Sequence, residues 1–589
     1  MLSRKRIDVY HTIHDRKISI NEKNRLIKLY FKQSISNIRF ISNHKEFTNK
    51  HFDIEFGILY QYLKRDILNI LSLCNPKKDR NYIKSELYLD INWNKYIFNL
   101  FQNVDAKESI LWFFFYIPYF HSNHYLDKLD EYRTIYLDMI QYVIKNWRKD
   151  LYFNEKEFIY SSGGCCLTYP ICYQNRNNKD ILSNYCLLLR TICPFLNYTS
   201  NFINHNINHN VNHDMNHNIK HIEKKEFKRR KICFITDGFT KDSCVLRDRI
   251  GIIGKLINKF DIYIASFRKF NQITGHTAKI VMKQLENKYI YLGNTLDDAR
   301  VILEKEMFEI IIYPDIGMKL KPYLLAYSRL APIQINTWGH SETSGINTID
   351  YYFSSKYFNL ESSACHFSEK LILFNSLSTY YISPISLFLK NNKSNFKSRD
   401  YFGLKEQQNV YGCLQTFYKF NNRDFLKALN QILLKDPNGI LLLSNAIPYS
   451  RSHLELFSKI FGNNINKIRW FPCLEIQQFL NIISLCDVIL DPYPFGGCNT
   501  SYEAFDFDIP VVTYPSDYLH GRFTMGLYKK MGFDDCIVNS FYEYIKLALD
   551  ITRNINLKNK ISRKIQMYKH KILQEKDSII EYETILNNL

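Results

Sequence analysis

Residues 486–515, with the sequence CDVILDPYPFGGCNTSYEAFDFDIPVVTYP, determine the fold class expected for this chain. Val488 to Leu490 is a short apolar run typical of a buried strand, and the segment Pro492 to Gly497 ends it with a loop rich in proline and glycine. Asn499-Thr500-Ser501 then begins a helix, and a second apolar run starts at Val511. This order of strand, loop, helix and strand predicts a parallel βαβ unit.

The same alternation of short apolar runs and helical stretches extends over residues 231–589. Candidate strands before the polar stretch Lys390 to Asp400 are Ile232–Thr236, Asp261–Phe267, Ile310–Tyr313, Ile333–Thr337, Ile349–Ser354 and Leu371–Phe374. Those after it are Val410–Leu414, Ile440–Ser444, Ile468–Phe471, Val488–Leu490 and Val511–Tyr514. The two series predict two doubly wound α/β domains, 231–395 and 396–589, with the C-terminal helices in the second. The binding site is expected in a cleft at the carboxyl ends of the strands.

Residues 1–200 predict a separate α-helical domain. Apolar residues recur at helical spacing from Tyr125 to Ile144, which indicates a long amphipathic helix. No 34-residue self-similarity is evident, so a tetratricopeptide array is neither shown nor excluded.

Residues 201–230 predict a linker between these parts. Histidines recur every four residues in asparagine-rich units, at His205, His209, His213, His217 and His221. A helix would align them as metal ligands, but asparagine is a poor helix former and short polar repeats are typical of linkers, so we favour a linker. The basic run Lys224 to Lys231 is interpreted as its solvated end.

Composition excludes a disordered chain and a membrane-spanning one. Of 589 residues, 46% are hydrophobic and 15% aromatic, which is enough apolar surface for several cores. The longest apolar run, Ile110 to Phe120, is shorter than the roughly 20 residues of a spanning helix. The 14 cysteines form no CxxC pair. We therefore expect a reduced, cytoplasmic or nuclear protein without a membrane partner.

The net charge of +20 offers one hint of a partner, because basic proteins bind phosphate-rich surfaces. However, the chain is rich in the residues of A/T-rich codons, so we attribute much of the lysine to coding bias. No motif supports specific nucleic-acid binding, and none is expected.

Residues 486–515 also carry a candidate phosphate site. A strand, a glycine loop and a helix N-terminus present unpaired N–H groups and the positive end of the helix dipole to an anion. The hydroxyls of Thr500 and Ser501 add donors, and Glu503 lies one turn along, where it could accept from ribose hydroxyls. Thr500 and Glu503 also fit a capping box that needs no ligand, and the two interpretations remain equal at this point.

Three blocks of the sequence resemble segments of one family and occur in the same order along the chain as in that family. They are GGCNTSYEAFDFDIPVVTYPSDYLHGRFTMGLYKKMGFDDCI at 496–537, QINTWGHSETSG at 334–345 followed by TIDY at 348–351, and YGCLQTFYK at 411–419. Together they resemble the carboxy-terminal part of glycosyltransferase family 41, the SPINDLY and O-linked N-acetylglucosamine transferase family. The resemblance covers about residues 231–589.

The resemblance implies a GT-B fold, in which two Rossmann-like domains face a cleft and the second binds a nucleotide sugar without a cofactor or metal. Lys419 matches the lysine that neutralises the leaving diphosphate, a role consistent with charge development in the transition state. The implied nucleotide-sugar site comprises Gln415, Thr416, Lys419, Gly496, Gly497, Asn499, Thr500, Ser501, Glu503 and Arg522.

In the first domain this sequence departs from the family. Asp242 stands where many members carry a histidine facing the sugar, and it could act as a base or as a helix N-cap. His340 lies in the expected acceptor-side loop, where a structural role is equally open. Phe479 replaces a histidine of some members, so the resemblance does not distinguish uridine from guanosine.

The resulting hypothesis is an inverting protein O-glycosyltransferase that transfers N-acetylglucosamine from UDP-GlcNAc to Ser or Thr, with Lys419, Asp242 and His340 as catalytic candidates. Its partners would be protein acceptors, selected by the helical domain, and the nucleotide sugar. Relatives imply two alternatives, O-fucosylation from GDP-fucose and Asn-glucosylation from UDP-glucose. A non-catalytic protein-binding scaffold on the same fold is the alternative of another class.

Overall fold

The computed structural model describes residues 129–147, 152–161, 171–203, 229–240, 243–272, 283–389, 396–420, 422–445, 451–472 and 474–589. The chain divides into two compact units, residues 1–153 with 160–162, and residues 154–159 with 163–589. The histidine repeat and Asp242 lie outside the described residues, as does most of the predicted helical domain.

In the first unit, helix α1 (Leu129–Asn146) confirms the helix predicted from apolar spacing. Tyr136, Ile140 and Val143 are fully buried, and their spacing places them on one face of the helix. Within the described residues, no helix is both long enough and apolar enough to cross a bilayer.

Helices α2 (Glu155–Ser161) and α3 (Lys179–Ile192) precede the first sheet. Helix α3 buries Leu182, Leu188 and Leu189 completely. Arg190 of α3 donates to the backbone oxygen of Tyr327 at 2.8 Å. This helix therefore packs on the first α/β domain.

The first α/β domain is built on an all-parallel sheet in the order β3-β2-β1-β4-β5-β6-β7. Its strands are β1 (Lys231–Ile235), β2 (Asp261–Ser266), β3 (Tyr289–Tyr291), β4 (Ile310–Tyr313), β5 (Ile333–Thr337), β6 (Tyr351–Ser355) and β7 (Lys370–Phe374). Its helices are α4 (Cys244–Leu256), α5 (Leu296–Glu306) and α6 (Leu320–Leu325). The strand predictions are confirmed, apart from β3, a three-residue edge strand that is only half-buried and too short for a periodic signal.

The second α/β domain has a parallel sheet in the order β10-β9-β8-β11-β12. The strands are β8 (Asn409–Cys413), β9 (Gly439–Asn445), β10 (Ile468–Pro472), β11 (Val488–Leu490) and β12 (Val511–Val512). The helices are α7 (Arg423–Lys435), α8 (Arg451–Phe461), α9 (Ile476–Ser484), α10 (Asn499–Asp506), α11 (Phe523–Met531), α12 (Phe541–Arg553) and α13 (Ile555–Tyr568). Ile489 of β11 pairs in parallel with Val511 of β12, so residues 486–515 form the predicted βαβ unit.

The last helix, α14 (Asp577–Asn588), packs into the first domain rather than the second, to which the sequence assigned it. The Tyr582 ring contacts the rings of Phe353 and Phe374, at centroid distances of 5.8 and 4.8 Å. The Glu581 carboxylate accepts from the backbone N–H groups of Asn375 and Ser376. An amphipathic pattern shows that a helix needs an apolar partner, but it does not identify which domain provides it.

Gly345 and Gly403 form a matched pair for testing how α3 is packed, because both adopt a φ of +69°. A Cβ at Gly345 would overlap the backbone carbonyl of Leu182 in α3, whereas a Cβ at Gly403 meets nothing within 4 Å. We expect Gly403→Ala to cost about 1–2 kcal/mol of unfolding free energy from the left-handed backbone alone. Gly345→Ala should cost about 1–3 kcal/mol more through overpacking, as measured by urea unfolding. Equal losses would contradict close packing of α3 on this loop.

Candidate functional site

The candidate site lies at the carboxyl ends of β8 and β11, which are neighbours in the second sheet. Val488 of β11 pairs in parallel with Tyr411 of β8, so the loops that follow these strands leave the same edge. The first loop carries Gln415 and Lys419, and the second carries Gly496 and Gly497 before helix α10. Residues about 80 positions apart in the chain are thereby brought together.

Lys419 is held at the centre of this site. Its Nζ donates to Gln415 Oε1 at 2.9 Å and to the backbone oxygen of Gly496 at 2.5 Å. It also lies 4.7 Å from the centroid of the Phe495 ring. Burial lowers the pKa of the Lys419 ammonium, and the nearby Asp491 carboxylate opposes this shift. The side chain is therefore a positioned cation rather than a solvated surface charge.

Gln415 connects Lys419 to the start of helix α10. Its Oε1 accepts from Lys419, and its Nε2 donates to Thr500 Oγ1 at 2.6 Å. A Cβ placed on Gly497 would lie 2.5 Å from Thr500 Oγ1 and 3.1 Å from Gln415 Nε2, so only glycine leaves room between these groups. Thr416 Oγ1 is buried and has no hydrogen-bond partner among the described residues.

Asp491, which sequence reasoning missed, fixes the glycine loop. Its Oδ1 accepts from the Gly497 N–H at 2.5 Å, and its Oδ2 accepts from the Thr513 hydroxyl at 2.7 Å. Burial raises the pKa of this carboxyl, while these hydrogen bonds and Lys419 lower it. An acid directly after strand β11 was the only sequence signal, and it does not by itself distinguish a structural role from a catalytic one.

Asn499 and Ser501, which flank Thr500 at the start of helix α10, form hydrogen bonds with other side chains of the protein. Asn499 Oδ1 accepts from the Tyr381 hydroxyl at 2.7 Å, and Ser501 Oγ lies 2.7 Å from Thr524 Oγ1. Thr500 is therefore the member whose side chain joins the Lys419 cluster.

Glu503 forms an ion pair with Arg247 of helix α4, across the two α/β domains. The Glu503 side chain is fully buried, and its Oε2 has no hydrogen-bond partner among the described residues. Helix α10 has Cys498 at its N-cap and no side-chain cap, so the capping-box alternative for Thr500 and Glu503 is wrong. A ribose at Glu503 would share this carboxylate with Arg247.

Arg522 is directed to the first domain. Its Nε donates to the backbone oxygen of Phe358 at 2.7 Å, and burial lowers the pKa of its guanidinium. No hydrogen bond joins it to Lys419, Gln415 or Thr500 among the described contacts.

His340, in the loop after β5, is buried with 5% of its surface exposed. Burial lowers the pKa of its imidazole to about 4, with Glu342 opposing and His520 adding to the shift. His340 is therefore neutral at pH 7. Its neighbours Glu342 and His520, 3.0 Å apart from Oε1 to Nδ1, were not among the predicted site residues.

Buried carboxylates also lie at the carboxyl edge of the first sheet. Asp315 follows β4 and Asp248 lies in α4, and burial raises their pKa values to about 6 and about 7. Sequence reasoning missed both acids, because isolated aspartates are common in the loops and helices of α/β domains.

The second-domain cluster can bind an anion. It combines a positioned ammonium, an amide and a hydroxyl with the N-terminus of helix α10, whose dipole favours negative charge. Such a group stabilises phosphate oxygens and, more strongly, a phosphate that gains charge as it leaves.

Comparison with known proteins finds similarity to glycosyltransferases. Residues 389–576 match the model of glycosyl transferase family 41. A UDP-glucose:protein N-beta-glucosyltransferase of Actinobacillus pleuropneumoniae serotype 7 (strain AP76) is 26% identical over 264 residues, 44% of this chain and 40% of that protein. A protein of Oryza sativa subsp. japonica, described as a probable UDP-N-acetylglucosamine–peptide N-acetylglucosaminyltransferase SPINDLY, is 24% identical over 238 residues, 38% of this chain and 24% of that protein. The chain thus matches well under half of the length of these relatives.

A solved structure of a mutant O-GlcNAc transferase of Thermobaculum terrenum has a similar fold. Its TM-score is 0.57 at 14% identity, and the match covers 95% of this chain and 96% of that chain. Together with the two parallel sheets, this likeness confirms the predicted GT-B fold.

The buried neutral state of His340 predicts a pH dependence of stability. Unfolded chains take up a proton at histidine near pH 6.5, whereas the pKa of folded His340 is about 4, so stability should fall as the pH drops through this window. The loss amounts to something on the order of 3 kcal/mol. Urea unfolding between pH 7.5 and 4 should show a shallower loss for His340→Gln than for the native chain. Identical slopes would contradict a buried neutral His340.

Proposed function

From the match of residues 389–576 to glycosyltransferase family 41, we propose that this chain transfers a sugar from a nucleotide diphosphate-sugar to proteins. One observation carries the proposal. Lys419, the position that corresponds to the family's diphosphate lysine, is held at the carboxyl edge of the second sheet within hydrogen-bond distance of Gln415 and Gly496. Gln415 in turn reaches Thr500 at the start of helix α10.

In the proposed reaction an acceptor oxygen or nitrogen attacks the anomeric carbon of the sugar. The new bond forms there as the bond to the diphosphate oxygen breaks, and the nucleoside diphosphate leaves with an added negative charge. Lys419, Thr500 and the N-terminus of α10 stabilise that charge. Direct displacement from the opposite face would invert the anomeric centre, as the family resemblance implies.

The acceptor proton needs a base in the first domain. We propose Asp242 for this role, and neutral His340 as a hydrogen-bonding group beside the acceptor. Glu503 is proposed to accept from the ribose through Oε2, the oxygen that Arg247 does not occupy. Because Lys419 and the helix end supply positive charge at the diphosphate, the proposal includes no metal, and transfer should persist in EDTA.

The favoured donor and acceptor are UDP-GlcNAc and Ser or Thr. Transfer of glucose from UDP-glucose to Asn is the second candidate. It is supported by the likeness to the Actinobacillus protein, which is described as a UDP-glucose:protein N-beta-glucosyltransferase. GDP-fucose is the third donor to be tested. A scaffold without catalysis is the alternative of another class, and it predicts no nucleotide binding.

Thermal unfolding with UDP and with GDP tests the proposed site. A ligand at 100 times its Kd adds about 2.7 kcal/mol to the stability of the folded state. We expect a clear increase in Tm with one nucleotide, and UDP is the expected one. Stabilisation by GDP alone would replace the favoured donor, and stabilisation by neither would overturn the glycosyltransferase proposal.

Lys419→Ala tests the role of the positioned ammonium. Removal of a group that stabilises developing negative charge should lower turnover by roughly 10²–10³-fold. The measurement is transfer of labelled sugar from UDP-GlcNAc or UDP-glucose to a cellular protein mixture. Lys427→Ala is the control, because Lys427 is exposed on α7 and pairs with Asp424. Native turnover in Lys419→Ala would remove Lys419 from the mechanism.

A further inference from the structure

The loop that holds Lys419 is itself held by His520. Gly496, whose oxygen accepts from Lys419, donates its N–H to the backbone oxygen of His520 at 2.9 Å. The His520 ring stacks on Phe495, with centroids 5.1 Å apart and planes 15° apart. A Cβ on Gly521 would overlap the backbone oxygen of Pro494, so the two segments are in close contact. His520 therefore contacts both the Phe495 ring and the Gly496 backbone, the two groups of this loop that Lys419 also contacts.

His520 is in turn fixed by an acid of the first domain. Its fully buried ring presents Nδ1 to Glu342 Oε1 at 3.0 Å. A carboxylate at Nδ1 favours the tautomer with the proton on that nitrogen and limits rotation of the ring. Glu342 lies in the loop after β5, so a first-domain residue determines where the second-domain ring lies.

A third segment, residues 171–178, supports the same assembly. Asn178 Nδ2 donates to Glu342 Oε2 at 3.0 Å, so both oxygens of this buried carboxylate are engaged. The Tyr173 ring stacks on Phe495 with centroids 4.9 Å apart. The Phe495 ring is thus contacted by Tyr173, His520 and Lys419 together.

We propose that Glu342 and His520 are positioning residues for Lys419. Through the stacked Phe495 ring and the Gly496 backbone, they keep the ammonium where it meets a diphosphate, so the first domain controls a contact made in the second. The inference rests on the proposed function, because it assigns Lys419 to the diphosphate. It predicts that Glu342 affects the phosphate contribution to nucleotide binding and leaves the nucleoside contribution unchanged.

The test is calorimetric titration with UDP, and ligand-observed NMR with uridine, which lacks the phosphates. Should the native chain prefer GDP, GDP and guanosine take their place. Glu342→Gln keeps the size of the side chain but leaves one oxygen for two donors. We expect it to weaken UDP binding at least tenfold and uridine binding less than twofold. Lys419→Met should weaken UDP binding further, and the double variant should bind UDP no more weakly than Lys419→Met.

Glu369→Gln is the matched control. Glu369 is also a buried acid of the first domain, and it accepts from the Ser344 N–H and the Thr343 hydroxyl in the same loop region. It has no hydrogen bond to His520 among the described contacts. We expect this variant to lower Tm while UDP affinity stays native. Phe495→Leu, at a half-buried position, provides a second variant that should reproduce the selective loss of UDP affinity if Glu342→Gln does not fold.

A measurement without nucleotide separates this inference from the proposed function. Labelling with acetic anhydride and peptide mass spectrometry reports the accessibility of Lys419. We expect faster labelling of Lys419 in Glu342→Gln than in the native chain, and a native rate in Glu369→Gln. The positioning role would be overturned if Glu342→Gln left the labelling rate of Lys419 or the affinity for UDP unchanged. It would also be overturned if the losses of UDP affinity from Glu342→Gln and Lys419→Met were additive in the double variant. Absence of any nucleotide binding by the native chain would overturn the proposed function and, with it, the assignment of Lys419 to a diphosphate.

Discussion

The parallel pairing of β8 with β11 is the constraint on which the candidate site depends. It places the loop after Cys413 beside the loop after Leu490, so that Lys419 reaches the Gly496 backbone and Gln415 reaches Thr500. The first loop supplies Gln415 and Lys419, and the second supplies the Gly496 oxygen and leads to Thr500 in helix α10. The candidate anion site therefore depends on the strand order of the second sheet.

Beside the paired strands β8 and β11, burial of the Lys419 ammonium is offset by the nearby negative charge of Asp491. Lys419 is partly removed from water, which lowers the pKa of its ammonium, and Asp491 lies close enough to oppose that shift. Asp491 also accepts hydrogen bonds from the Gly497 N–H and the Thr513 hydroxyl, and these bonds hold the glycine loop in place. A preorganised site of this kind loses little free energy to reorganisation when a phosphate gains charge.

Three contacts between the two α/β domains lie at or beside the candidate site. Arg247 pairs with Glu503, Tyr381 donates to Asn499, and Glu342 meets His520. Each of the three joins a first-domain or connecting residue to a second-domain residue at or beside the candidate site. Relative movement of the two domains would alter all three contacts, so under the proposed function the first domain would affect donor binding.

The sequence by itself determined the two α/β domains, almost all of their strands and the loop and helix around Asn499, because these depend on local apolar periodicity and on turn residues. It also indicated Lys419 and Thr500 as candidate site residues, through motifs that resemble a known family. Only the tertiary structure decided that Asp491 holds the glycine loop, that Glu503 pairs with Arg247 instead of capping α10, and that α14 packs on the first domain. The physical reason is separation along the chain. Glu342 and His520 are 178 residues apart, and the strand order of two sheets, not local pattern, determines which distant side chains meet.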